Sequence, residues 1–121
     1  MSRWVYLRDR VTNDPVVVPI HSEGGTFVLG GTTTAELNIT YNYGIHFRTA
    51  VAPDHGIGLQ ALDGLSGKAA IPILRAAIEK LGGDHPDPDY WKPTPGNAAH
   101  ALNIMLEWSE AKPEGVWEIG Q

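Results

Sequence analysis

Between residues 34 and 43 apolar and polar positions alternate. Ala35, Leu37, Ile39, Tyr41 and Tyr43 fall on one side of an extended chain, and Thr34, Glu36, Asn38, Thr40 and Asn42 on the other. This run predicts the longest strand of the protein, central in its domain, with Leu37, Ile39 and Tyr41 in the core. Shorter extended pieces precede it. RWVYLR (3–8) places Trp4 and Tyr6 on one face and Val5 and Leu7 on the other. VVVPI (16–20) reads as a strand whose Pro19 marks an edge or an end, because proline cannot donate to a ladder. TNDP (12–15) supplies turn chemistry between them, and the pairs Gly24-Gly25 and Gly30-Gly31 mark turns or bulges around a third extended piece, 26–31.

Beyond residue 65 the period lengthens. Ile71, Leu74, Ile78 and Leu81 share one helical face, which predicts a helix over 69–81 that stops at Gly82-Gly83, with Pro72 near its first turn. A second helix is predicted over 95–110, with Thr94 as N-cap, Pro95 at its first position and Pro113 beyond its end. Its apolar arc is wider than one sheet face needs, so it is either central or part of a subunit interface. Residues 48–66 read as an irregular connection with one helical turn around 59–62, and GVWEIGQ as a short final strand. Strands followed by helices define an α+β fold. It is a small, mostly antiparallel sheet over residues 3–43 packed on helices 69–81 and 95–110, in a single domain spanning 1–121.

Composition narrows what such a domain does. A net charge of −5 with scattered basic residues argues against nucleic-acid binding, which needs a concentrated basic face. The absence of cysteine excludes disulfides, thiol catalysis and cysteine metal sites. MSRWVYLRDR lacks the apolar core of a signal peptide and no apolar run approaches spanning length, so no membrane association and a cytoplasmic setting are expected.

No catalytic motif stands out. GLSGK (64–68) has two residues between its glycines and alanine after its lysine, so it lacks the phosphate-loop pattern. GDHPDPDYW (83–91) gathers Asp84, His85, Asp87 and Asp89, but its prolines extend the chain and spread the carboxylates. No helical histidine pair, no serine elbow and no paired acids occur, so neither a catalytic residue nor a metal or cofactor is assigned. TPGN (94–97) is more suggestive. The N–H groups of a helix start favour an anion, and Gly96 permits close approach, with Tyr90 and Trp91 just upstream as stacking surfaces. The same residues also fit a helix that caps itself. The polar side of 34–43 has two readings as well, a solvated face or the floor of a binding site.

GGTFVLGGTTTAELNITYNYG, DYWKPTPGNAAHAL and PEGVWEIG resemble a family of small, largely uncharacterised bacteriophage and bacterial proteins, over about residues 24–120. The combination NITYNY, DYW and PTPGNA carries the resemblance. It brings no established activity and no catalytic residue. What it implies is a setting in which small phage proteins act by binding, either to a host enzyme or to a nucleotide-derived signal of a host defence system. The resulting expectation is a noncatalytic, homo-oligomeric, anti-defence protein that sequesters a small anionic, nucleotide-like ligand such as a host immune signal. Its ring would stack on Tyr43, Tyr90 or Trp91. Phosphate would meet Arg48 and the amides of Thr94, Gly96 and Asn97, and Asn38 or Asn42 would read polar edges, with His46 beside them. The alternatives are a protein–protein inhibitor of a host factor, anchored by exposed aromatics, and a hydrolase or transferase acting on a nucleotide.

Overall fold

The structure, a computed structural model, describes residues 2–24, 27–89 and 92–120, with the side chains of 2, 20–24 and 27–32 left aside. β1 (Ser2–Arg8) is the middle strand of a three-stranded antiparallel sheet. It is flanked on one side by β4 (Glu36–Thr40) and on the other by β5 (Val116–Ile119). The outer edge of β5 is covered by its own chain: Gly64 N–H donates to the Trp117 carbonyl, and Trp117 N–H donates to that of Leu65. β2 (Val17–Gly24) and β3 (Phe27–Thr34) form a separate two-stranded antiparallel sheet with two register shifts. The α+β class follows, but the predicted sheet is divided, and the C-terminal strand completes its first half.

The predicted strand 34–43 is corrected in length and position. It stops at Thr40, whose hydroxyl accepts a hydrogen bond from Asn42 N–H at 3.3 Å and starts a 3₁₀ turn, Tyr41–Tyr43. A threonine side chain that captures the backbone two residues on offers the chain an alternative to the ladder. Beyond the turn comes α1 (Gly44–Ala50), a helix where no element was expected at 44–47 and an irregular connection was expected from 48. The turn inverts the alternation. Tyr43 is buried at 1% exposure, while Tyr41 is partly exposed beneath the Arg3 guanidinium, 5.2 Å from its ring centroid. The strand is also an edge of its sheet rather than the centre.

Leu59 and Leu62 sit in a second 3₁₀ turn, Gly58–Leu62, where a helical turn was expected. α2 (Gly67–Lys80) is capped by Ser66, whose hydroxyl accepts Ala69 N–H at 3.1 Å. Pro72 lies in its second turn, one turn deeper than expected. It sits on the exposed side of the helix, where the Lys68 carbonyl it cannot bond can turn to water. α3 (Pro95–Ala111) begins as predicted, with Thr94 Oγ1 accepting Asn97 N–H at 3.0 Å. The start of α2 packs on the end of α3, where Gly67 lies against the backbone of Ser109, Lys112 and Pro113.

Val5, Leu7, Leu37 and Ile39 face the helices and meet Leu74, Leu102, Met105 and Trp108 in one core. Trp108 and Trp117 stack there at 6.3 Å, and the Trp117 indole N–H donates to the Ser109 hydroxyl at 3.0 Å. The wide apolar arc of α3 is thus used within the chain, and the helix is central. Among the described residues no helix is long and apolar enough to cross a membrane.

Candidate functional site

Of the residues expected to meet an anion, Thr94, Gly96 and Asn97 stand together at the start of α3, but the side chains of Thr94 and Asn97 bond within the chain. Asn97 is 1% exposed, and its side chain holds the connection between α2 and α3. Its Oδ1 accepts Asp87 N–H at 2.7 Å, and its Nδ2 donates to the carbonyls of Asp89 and Lys92, both at 2.9 Å. Gly96 does allow a close approach, but the visitor is the carbonyl of His85, which occupies the space a Cβ would need. The anion reading of TPGN is therefore corrected: the chain's own His85 backbone covers the first turn of α3 at Gly96. His46 Nε2 lies 2.9 Å from the Pro93 carbonyl, which can only accept, so that nitrogen carries the proton. Asp84 completes the fastening, accepting from His100 Nδ1 at 2.8 Å and Asn103 Nδ2 at 3.0 Å.

The other expected residues separate. Tyr43 packs edge-on against Phe47 inside the core (centroids 6.1 Å apart), so it offers no stacking surface to a ligand, which corrects that expectation. Arg48 is exposed and lies along Gly44 and Gly58. Asn42 is exposed in the 3₁₀ turn, and Asn38 stands on the outer face of the sheet opposite Trp4. Tyr90 and Trp91 lie outside the described residues.

That outer face, turned away from the helices, is what sequence reading missed. Trp4 and Tyr6 stack along β1 with centroids 6.4 Å apart and planes 16° from parallel. The Arg8 guanidinium continues the row, 4.5 Å from the Tyr6 centroid. It donates to Glu118 at 3.0 and 3.4 Å and to the Asn13 carbonyl at 3.0 Å. Tyr6 stands between two carboxylates, opposite Glu36 on β4 and Glu118 on β5. Glu36 accepts the Thr34 hydroxyl at 3.1 Å, and among the described residues no cation pairs with it. The signal lay in RWVYLR, where every second residue is aromatic or basic.

At its Arg8 end the face opens into a cleft of about 340 Å³ lined by Arg8, Arg10, Asn13, Asp63 and Glu118. Asp63 is tied to the sheet through Ile119 N–H at 2.9 Å. The turn beside the cleft is organised by Asp9, whose Oδ1 accepts the N–H groups of Thr12 and Val11 at 3.0 and 2.8 Å. These bonds hold its carboxyl below the ordinary value of 3.8. A lowered folded-state pKa stabilises the fold above the unfolded value, and that contribution is lost as pH falls through the folded one. Urea midpoints measured from about pH 5 down to about pH 2 should thus fall less for Asp9→Asn than for the unaltered chain.

The hydroxyls of Ser66 and Thr94 cap helices, and that of Ser109 receives the indole of Trp117. Among the described residues no group of three or more histidine and acidic side chains could hold a metal ion. Compared with family models, curated proteins and solved structures, the chain finds no match in any of the three. Fold and site together define an α+β protein with an aromatic, carboxylate-flanked sheet face.

Proposed function

We propose that this chain acts by binding rather than turnover, and that its partner is a protein docked on the outer face of the three-stranded sheet. The observation that carries this reading is the Trp4–Tyr6–Arg8 row on the side of the sheet away from the core. Tryptophan, tyrosine and arginine are the residues that most often anchor protein interfaces, and a strand presents them without an ordering cost. Through the resemblance to phage and bacterial proteins, the proposed setting is the bacterial cytoplasm, the proposed target a host factor, and the proposed form a homo-oligomer.

A second reading keeps a small nucleotide-like ligand and moves it away from α3. It is favoured by the cleft, whose volume suits a small molecule and which contains Arg8 and Arg10. Against it stand Asp9, Asp63 and Glu118 in the same lining, which outnumber the two arginines and repel a phosphate. Native mass spectrometry of the chain with host lysate fractions separates the readings. A complex with a protein that is lost in the Trp4→Ala, Tyr6→Ala double variant, at unchanged thermal stability, supports the first. A retained small molecule, released on Arg10→Ala, supports the second and overturns the first.

A further inference from the structure

Tyr6 divides the outer face into two flanks that each carry a carboxylate, and among the described residues only the β5 flank holds a cation. On the β5 flank, Arg8 lies over the Tyr6 ring and is paired with Glu118, which stands opposite Tyr6 and diagonal to Arg8. On the β4 flank, Glu36 stands opposite Tyr6 and diagonal to Trp4, and it has no cation among the described residues. Diagonal neighbours across a strand pair are about 7–8 Å apart, within reach of one long side chain that touches both. Beside Trp4 stands Gly120, just past β5, whose N–H donates to the Trp4 carbonyl at 2.8 Å and which has no side chain to place opposite the indole.

We infer that the Trp4 ring and the Glu36 carboxylate form a second guanidinium site, filled by an arginine from a basic segment of a protein partner. The inference rests on the protein-binding reading above and names the chemistry of the partner. Charge complementarity supports it. A partly buried carboxylate beside an indole attracts a cation twice, through its own charge and through the ring face. The protein as a whole carries −5, which adds to the attraction for a basic segment. Arginine fits better than lysine because a planar guanidinium can lie on the ring while it donates to the carboxylate, as Arg8 does with Tyr6 and Glu118.

The test uses the full chain, labelled with ¹⁵N, and three probes: acetyl-glycyl-arginyl-glycinamide, the same peptide with neutral citrulline for arginine, and AMP. The arginine peptide should give saturable shifts at the amides of Trp4 and Glu36, and the citrulline peptide should give none. Glu36→Gln should weaken the arginine peptide about three- to fivefold, Trp4→Thr should abolish its binding, and Trp4→Phe, which keeps a ring, should retain most of it. Equal binding of the citrulline peptide, shifts that survive Trp4→Thr, or shifts with AMP alone would overturn the site, as would no shift with any probe. The two proposals fail separately. A partner complex lost in Trp4→Thr but indifferent to Glu36→Gln keeps protein binding and removes the arginine.

Discussion

Asn97→Ala should lower the unfolding free energy by about 3 kcal/mol, with the loss centred on the connection between α2 and α3 rather than on the sheet. Three hydrogen bonds from one buried amide would vanish together, leaving Asp87 N–H without its acceptor, while the carbonyls of Asp89 and Lys92 keep only the N–H groups of Lys92 and Thr94. An orphaned buried N–H costs about 1–3 kcal/mol and each lost bond to a carbonyl that keeps a second donor about 0.5–1.5 kcal/mol, which together give a loss of about 3 kcal/mol. Asn97→Asp separates the parts. It retains the acceptor for Asp87 but places a carboxylate against two carbonyls, so it should destabilise at least as much as alanine. Urea unfolding measures the total. Hydrogen exchange at Asp87 and Lys92 locates it, and unchanged protection there in Asn97→Ala would refute the assignment.

A comparable loss, about 2–3 kcal/mol, is expected for Gly96→Ala, against the direction that helix propensity gives. In the first turn of an exposed helix, alanine in place of glycine would gain up to about 1 kcal/mol. Here the new methyl must occupy the position of the His85 carbonyl, a backbone atom that cannot rotate away. The loop has to lift from the helix, which also pulls its backbone away from Asn97. Because the two sites share that loop, the double variant should lose less than the sum of the single losses, a coupling that a double-mutant cycle reads directly. Thermal stability equal to or above that of the unaltered chain would show that the loop does not close on α3.

Much of the architecture was legible because its signals were local. Thr94-Pro95 marks a helix start by capping chemistry alone, and VWEI alternates as a strand must. What misled was the continuation of the 34–43 alternation through Tyr41 and Tyr43. The pattern of side chains was right for a strand, but a backbone–hydroxyl bond at Thr40 ended it. No periodicity registers a single competing hydrogen bond. The candidate site failed to appear for a different reason. TPGN looks the same whether a phosphate or the chain's own carbonyl approaches Gly96, since only the placement of His85 distinguishes them. Glu118 could not be joined to Arg8 in advance either, because nothing local brings together two residues 110 positions apart.

That last pairing bears on how the chain is made. The middle strand of the sheet is synthesised first and one of its two neighbours last, so during translation β1 waits with an open ladder edge while more than a hundred residues follow. Non-local pairing of this kind slows folding, and an unpaired edge is a template for other chains. Meanwhile the β2–β3 hairpin and the α2–α3 pair can form from neighbouring sequence. The β5 flank of the outer face would then form after the β4 flank. Arg8 has no Glu118 to hold it over Tyr6 until β5 docks, so the stacked guanidinium reports that the sheet is complete.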